Sequence, residues 1–231
     1  MAFDVKKERA NFPNLMQDNN FIYFDNAATT HKPKVVIDSI KDFYSKHNSN
    51  VHRSIHKSGS IATQKYEEAR TRVQRFINAN KSEEVIFTSG TTESINIVAQ
   101  SFGEKFLKEK NVILLAPSEH HANIVPWQLI AKKKNAIIKT IPLNEDLSVD
   151  IPGFVSMLNS NVKLVTIQHI SNVTGALQKI KSIIREAHKL SIPVLVDGAQ
   201  AIAHTQINVV DLDCDFYCFS SHKAFGPTGL G

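Results

Sequence analysis

Short, almost entirely apolar runs recur along this chain of 231 residues, and helical patterns separate them. A strand that is buried on both faces has this appearance, whereas a half-exposed strand alternates apolar and polar residues. Strands that alternate with helices at this spacing indicate a parallel sheet. The sequence therefore predicts an α/β fold with a mostly parallel, doubly wound sheet and flanking helices. The predicted strands are 85–87 (VIF), 112–116 (VILLA), 136–141 (AIIKTI), 162–167 (VKLVTI), 194–197 (VLVD) and 216–220 (FYCFS).

The helical stretches between these runs have a period of about 3.6 residues. Before the first strand, Pro33 opens a predicted helix over 34–44, and a second one covers 62–78. A polar segment over 47–60 separates the two. After the first strand, periodicity predicts helices over 94–107, 124–131 and 179–190.

Composition excludes several classes of protein. Lys and Arg number 27 against 22 Asp and Glu, so the net charge is only +5, and the run Lys132–Lys134 is typical of a solvated helix end. No apolar run reaches the roughly 20 residues that span a membrane, and the first twelve residues lack the apolar core of a secretory signal. The two cysteines, Cys214 and Cys218, exclude a disulfide scaffold. We therefore expect a cytoplasmic protein with no nucleic-acid or membrane partner.

Polar clusters follow five of the predicted strands. In a parallel sheet, ligands bind beyond the carboxyl ends of the strands, so these clusters predict a single site along one rim. They are TSGTTES after Phe87, SEHHAN after Pro117, HISNVTG after Gln168, DGAQ after Val196 and SSHK after Phe219.

Three of these clusters each allow two interpretations. The hydroxyl-rich turn over 88–93 is suited to a phosphate at a helix N-terminus, or to ordinary capping of that helix. Asp197 ends a buried strand, where a carboxylate needs a partner such as a protonated heterocyclic nitrogen, or else forms an Asx-turn. Lys223 is either a nucleophile that forms a Schiff base or a surface lysine on a loop.

Histidine and cysteine spacing does not favour a metal site. His120 and His121 are adjacent and would not share a helix face. His52 and His56 could act together only in a helix, and their surroundings are typical of a loop. We expect no metal, and we expect Cys214 and Cys218 to be buried, inert thiols.

Taken together, seven segments resemble one family. The sequence resembles the class V, fold-type I pyridoxal-phosphate enzymes, and within them the cysteine desulfurases of the SufS/selenocysteine lyase type. The segments that carry the resemblance are YFDNAATT (23–30), NVHRSIH (50–56), FTSGTTESIN (87–96), SEHHANIVPWQ (118–128), HISNVTG (169–175), VLVDGAQA (194–201) and DCDFYCFSSHKAFGPTGLG (213–231).

The resemblance implies roles for individual residues. Lys223 would bind the cofactor covalently, and Asp197 would keep its pyridine nitrogen protonated. Gln200 would donate to its phenolic oxygen, and His120 would stack on its ring and shuttle protons. Asn172 would contact the substrate carboxylate. The residues that would hold the phosphate are Thr91, Thr92, Ser220 and His222.

The same resemblance implies the reaction and the organisation of the chain. L-cysteine would give L-alanine, and its sulfur would pass to a protein cysteine as a persulfide for iron–sulfur cluster assembly. The enzymes of this family form homodimers. Residues 1–20 would be an N-terminal segment and 21–231 an incomplete cofactor-binding large domain. In the resembled enzymes a further stretch of the large domain and a C-terminal small domain follow the position of Gly231. They carry the persulfide-forming cysteine and the arginine that binds the substrate carboxylate, so a C-terminal truncation is expected.

Two alternatives to a cysteine desulfurase stay open at this point. One is a different class V activity, such as a selenocysteine lyase or an aminotransferase-like enzyme. The other is an inactive fragment or interaction module. Ser221 also departs from the family, which usually has glycine there; the serine would be neutral or would tighten the turn beside Lys223.

Overall fold

The structure, a computed structural model, describes residues 3–18 and 20–231. They divide into two compact units: residues up to Ile86 with Ser221–Pro227, and Phe87–Ser220 with Thr228–Gly231. The boundary expected at residue 20 stays a prediction, and Met1, Ala2 and Asn19 of that segment lie outside the described residues.

The first unit is helical. It contains α1 (Val5–Ala10), α2 (Lys34–Asp42) and α3 (Lys57–Phe76), and α2 continues as a π-helical turn over Phe43–His47. Helix α3 begins five residues before the predicted position because the side chain of His56 caps it, with Nδ1 accepting from the Gly59 N–H at 3.3 Å. Short 3₁₀ helices cover Pro13–Met16, Ser82–Glu84 and Ser221–Lys223.

The second unit contains a five-stranded sheet among the residues that the structure describes. Its strands are β1 (Val112–Leu115), β2 (Ile137–Thr140), β3 (Val162–Gln168), β4 (Val194–Asp197) and β5 (Phe216–Cys218). All neighbouring pairs are parallel, in the order β2-β1-β3-β4-β5. The predicted parallel α/β sheet is therefore confirmed, and five of the six predicted strands are present.

The first predicted strand, 85–87, is wrong. This segment has no strand assignment, although Val85 is buried. Its apolar run is followed by a single reciprocal backbone pair, in which Thr88 and Gly231 exchange two hydrogen bonds of 2.8 Å. One such pair does not extend into a ladder, so apolar composition alone was insufficient here.

Helices cover both faces of the sheet. They are α4 (Thr91–Phe106), α5 (Val125–Lys134), α6 (Ile151–Met157), α7 (Ile180–His188) and the single turn α8 (Val209–Leu212). Because successive strand residues face opposite sides, Ile113 packs with α4 and α5, whereas Val112 and Leu114 pack with α6 and α7. This is the doubly wound arrangement that the sequence predicts.

Two further expectations concern the surface. The basic run Lys132–Lys134 forms the last turn of α5, where Lys133 and Lys134 pair with Glu104, as expected for a solvated helix end. Across residues 3–18 and 20–231, no helix combines the length and apolar character needed to cross a membrane.

A pH-dependent contact joins α7 to the amino end of the sheet. Ring nitrogens of His188 lie 3.1 Å from Asp213 and 3.0 Å from Asp215, and Asp215 also accepts from the Val194 N–H at 2.8 Å. Partial burial lowers the pKa of His188, but hydrogen bonds and charge from Asp215 and Asp213 outweigh it and raise the pKa above 6.5.

We expect this contact to stabilise the fold in acid more than in base. The raised folded-state pKa means that its stabilisation is full below about pH 6.5 and is lost as the pH rises through the folded value. Denaturant unfolding of the chain and of His188→Gln, compared at about pH 6 and about pH 9, should show a difference that shrinks with pH. An equal difference at both values would contradict the assignment.

Candidate active site

The carboxyl ends of the strands bring several of the predicted clusters together within the second unit. Gln168 of β3 is the register partner of Asp197, which in turn pairs with Cys218 of β5. The Gly198 N–H donates to the Cys218 carbonyl at 2.8 Å, and the Gln168 N–H donates to Glu119 at 2.9 Å. The clusters after β1, β3 and β4, together with Ser220 after β5, thus share one edge of the sheet.

Thr91 and Ser220 form a buried hydroxyl pair at the start of α4. The two side-chain oxygens are 2.7 Å apart, and Ser220 Oγ also accepts from the Thr91 N–H at 2.7 Å. Ser220 therefore caps α4 from the far end of β5, in place of the local cap that the sequence also allowed. Thr92, on the next position of the helix, is exposed. The result is a helix N-terminus with hydroxyl groups around it.

Asp197 is buried, with 6% of its surface exposed, at the last position of β4. One carboxylate oxygen accepts from the Ala199 N–H at 2.9 Å, which is the Asx-turn considered from the sequence. This bond fixes the carboxyl group at the strand end, on the last residue of β4 that pairs with β3 and β5. Gln200, three positions on, is buried as well.

His120 lies in the turn after β1 and is exposed. Its Nδ1 accepts from the Ala122 N–H at 3.1 Å, which caps the short 3₁₀ helix His121–Asn123. A backbone N–H can only donate, so the neutral imidazole carries its proton on Nε2. The ring thus presents an N–H group at its outer nitrogen. Asn172, in the loop after β3, is half-buried.

A buried carboxyl group beside His120 escaped the sequence analysis. Glu119 is 7% exposed, and burial raises its pKa to about 8; hydrogen bonds from Gln168 and Asn123 oppose this rise, and the charge of Asp197 adds to it. Perturbed carboxyl groups of this kind concentrate at functional sites. The only signal in the sequence is the four-residue spacing of Glu119, Asn123 and Trp127.

The structure places His222 and Lys223 in the first unit, on the 3₁₀ helix Ser221–Lys223. The carbonyl of His222 accepts from Thr30 N at 2.9 Å and from Lys32 Nζ at 3.0 Å, and its Nδ1 lies 3.1 Å from the Thr29 hydroxyl. Burial, and then the charges of Lys223 and Lys32, lower the pKa of His222. The segment that carries Lys223 is therefore held in place by the residues of the YFDNAATT motif.

Ser221 closes the turn around Lys223. Its hydroxyl donates to the Pro227 carbonyl, and its own carbonyl accepts from the Ala224 and Gly226 N–H groups, each at 2.9 Å. The serine that stands where the resembled family usually has glycine tightens this turn, which was one of its two expected effects.

The remaining candidates are a partly buried thiol, a buried thiol and a histidine whose Nε2 pairs with Glu67 at 3.0 Å. Burial raises the pKa of Cys214 to about 12 and raises that of Cys218 further, so both thiols stay protonated at neutral pH. His52 lies in a loop with a positive φ of 66°. In the described parts of the chain, no group of three or more His, Cys, Asp or Glu residues is placed to hold a metal ion.

Comparison with known sequences places these observations in a family. The model of the family "Aminotransferase class-V" matches residues 22–231. A probable cysteine desulfurase of Halalkalibacterium halodurans is 45% identical over 233 residues, which cover 100% of this chain and 57% of that protein. A cysteine desulfurase of Synechococcus elongatus is 43% identical, with 100% and 37% covered. The chain thus spans about half, or less, of the length of the curated relatives it matches.

Solved structures agree with the sequence comparisons. The apo structure of a cysteine desulfurase from Thermococcus onnurineus superimposes with a TM-score of 0.93 at 37% identity, covering 100% of this chain and 56% of that one. The cysteine desulfurase CsdA from Escherichia coli, in an S-sulfonic acid form, gives 0.90 at 38% identity, with 100% and 57% covered. Because the family model matches residues 22–231, nearly the whole of this chain, the chain belongs to the class-V aminotransferase family.

Proposed function

We propose that this chain forms the cofactor-binding part of a pyridoxal-phosphate-dependent cysteine desulfurase. The observation that carries the proposal is a buried carboxylate, Asp197, at the end of β4, with the Thr91–Ser220 hydroxyl pair beyond the neighbouring strand β5. The relatives that are 43–45% identical are themselves called cysteine desulfurases or probable cysteine desulfurases, which supports the same reading.

The residues present fit the two charged ends of this cofactor. A phosphate suits the N-terminus of the sixteen-residue helix α4, where N–H groups of the first turn, the Thr92 hydroxyl and one hydroxyl of the Thr91–Ser220 pair would donate to it. His222, which follows Ser220 by two positions, would add a further donor. At the other end, the Asp197 carboxylate would hold the proton on the pyridine nitrogen.

Three more side chains would act on the ring and the substrate. His120 would stack on the ring and, with its proton on Nε2, would donate from that nitrogen. Gln200 would donate to the phenolic oxygen, and Asn172 would bind the substrate carboxylate. Lys223 would hold the cofactor covalently through Nζ until the substrate amine takes its place.

The bound cofactor supplies an electron sink for the carbanion chemistry that weakens the C–S bond of cysteine. Overall, L-cysteine and a thiol give L-alanine and a persulfide, so the sulfur leaves the substrate with no external oxidant. Cys214 is partly buried and Cys218 is buried, and burial raises both thiol pKa values, so the two cysteines stay protonated and are unsuited to this step. The attacking thiolate must therefore be another group, and the persulfide would serve a sulfur acceptor of iron–sulfur assembly. We place this homodimeric enzyme in the cytoplasm.

The test adds pyridoxal phosphate to the chain and follows the visible absorbance of the bound cofactor. A saturable visible band that borohydride abolishes, while the reduced cofactor stays covalently attached to the chain, is the expected result, and the absence of such a band would overturn the proposal. L-cysteine, L-selenocysteine and a keto acid are then compared in the presence of a small-molecule thiol as sulfur acceptor. Alanine from L-cysteine supports the desulfurase, whereas alanine from L-selenocysteine alone indicates a lyase, and an amino acid from the keto acid indicates an aminotransferase.

A further inference from the structure

A buried hydrogen-bond network surrounds the carboxyl group of Glu119, immediately before His120. Oε1 accepts from the Gln168 N–H at the end of β3, at 2.9 Å, and Oε2 accepts from Asn123 Nδ2 at 2.7 Å. Among the described residues, no Lys, Arg or His nitrogen lies within 4.0 Å of this carboxyl group. The group is thus held by hydrogen bonds, with no ion pair.

The direction of every bond in the network is fixed. Trp127 Nε1 can only donate, and it donates to Asn123 Oδ1 at 3.0 Å; the Thr166 hydroxyl donates to the same oxygen at 2.6 Å. The amide nitrogen of Asn123 must therefore face Glu119. Each oxygen of Glu119 accepts one of these bonds, so an amide in its place would set its N–H group against a donor at one of the two contacts.

The network fixes the turn on both sides of His120. Before it, Gln168 Nε2 donates to the Ser118 carbonyl at 2.8 Å and to the Ser118 hydroxyl at 3.0 Å. The Glu119 side chain accepts from the Gln168 N–H of β3. After His120, Asn123 accepts from the Thr166 hydroxyl of the same strand, which holds the other end of the turn. The position of His120, and the bond from Ala122 that sets its tautomer, depend on this anchoring.

Stability alone does not explain a carboxyl group at this position. Burying one without a cation is costly, and a well-packed apolar side chain would serve the core at least as well. Buried polar networks that are fully satisfied impose a single arrangement on the groups around them. In this chain, the network holds the turn that carries His120 in one arrangement.

We propose that Glu119 is a positioning residue of the active site, which acts through Asn123 and Gln168 to fix the place and the tautomer of His120. This inference rests on the proposed function, in which His120 contacts the cofactor. Glu119 itself, which is buried, would touch neither cofactor nor substrate.

The test exchanges the two polar groups of the network. Glu119→Gln alone sets two N–H donors face to face. Above the raised pKa of Glu119, Asn123→Asp alone sets two carboxylates face to face. The double variant, Glu119→Gln with Asn123→Asp, restores a donor opposite an acceptor at every contact. A positioning role predicts damage in each single variant and rescue in the double one.

The first readout is the ¹⁵N spectrum of the His120 ring in the chain without cofactor, assigned by its loss in His120→Gln. In the original chain and in the double variant, Nδ1 should be unprotonated and Nε2 protonated. In each single variant, the two signals should move towards each other as the tautomers mix. The second readout is the dissociation constant for pyridoxal phosphate, which should rise roughly tenfold in each single variant, as for one lost charged hydrogen bond, and return in the double one.

A matched control is Asp215→Asn, which alters another carboxylate that accepts a strand N–H, at the opposite end of the sheet. It should lower stability and leave both readouts unchanged. The inference fails if the single variants lower only stability, or if the folded double variant does not recover the His120 signals. If the original chain binds no cofactor, the proposed function fails, while the ¹⁵N spectra still test whether Glu119 holds the turn.

Discussion

Replacing Lys223 with alanine should abolish the borohydride-stable attachment of pyridoxal phosphate to the chain. Only an amine can hold the cofactor's aldehyde covalently, so the loss should be complete, whereas weaker non-covalent binding through the phosphate and Asp197 can persist. Intact mass before and after reduction measures the attachment directly. Lys132→Ala, at the exposed end of α5, is the matched control and should retain one cofactor per chain.

Lys32 makes this experiment more demanding. Burial lowers the pKa of Lys32, which increases the unprotonated fraction that reacts with aldehydes. Its Nζ also donates to the His222 carbonyl, so it lies near the Lys223 segment within the first unit. Peptide mapping of the reduced product separates the two lysines. A label on Lys32, or a label that survives in Lys223→Ala, would contradict the assignment of Lys223.

The sheet could be predicted because its strands are buried on both faces. Runs such as 162–167 are short, mostly apolar and rich in β-branched residues, which favours a buried strand over a helix, and β3 occupies Val162–Gln168. The same rule was wrong for 85–87, where the backbone pairs only once, with Gly231. Composition shows that a segment is buried, but the presence of a neighbouring strand depends on the whole fold.

Helix ends were predicted less well than helix positions. The start of α3 was missed because residues 57–60 are polar or glycine, and the capping group is a histidine, which is not among the usual N-cap residues. The cap of α4 comes from Ser220, 129 residues further along the chain. No local pattern can contain that information.

In the candidate site, too, the features set by position along the chain could be predicted, and those set by distant contacts could not. Strand-end position singled out Asp197 and His120, because carboxyl ends of parallel strands share one edge. Glu119 was missed because its significance depends on burial and on the orientation of Asn123, which Trp127 sets from a different element. A charged residue in a polar cluster is usually solvated, so only the three-dimensional contacts distinguish it.

The largest effect on stability is expected at Gly198, directly after Asp197. A Cβ at this position would overlap ring atoms Cε1 and Cζ of Tyr217. The ring cannot easily move aside, because it is half-buried against the core and its hydroxyl is hydrogen-bonded to His169 Nδ1 at 3.0 Å. We therefore expect Gly198→Ala to lower the free energy of unfolding by about 3 kcal/mol, the upper end for overpacking. Denaturant unfolding followed by fluorescence of Trp127, the only tryptophan in the chain, measures it within the same unit.

A second substitution shows whether the loss of stability comes from this clash or from a backbone conformation that only glycine can adopt. Tyr217→Leu removes the ring atoms that the new methyl group would meet, so Gly198→Ala in that background should cost about 1 kcal/mol or less. An equal cost in both backgrounds would mean that the backbone of Gly198, and not Tyr217, requires glycine. The two substitutions are coupled because Gly198 follows the end of β4, where the Tyr217 ring of the neighbouring strand β5 leaves no room for a Cβ. The same turn carries the Ala199 N–H that holds the Asp197 carboxyl group.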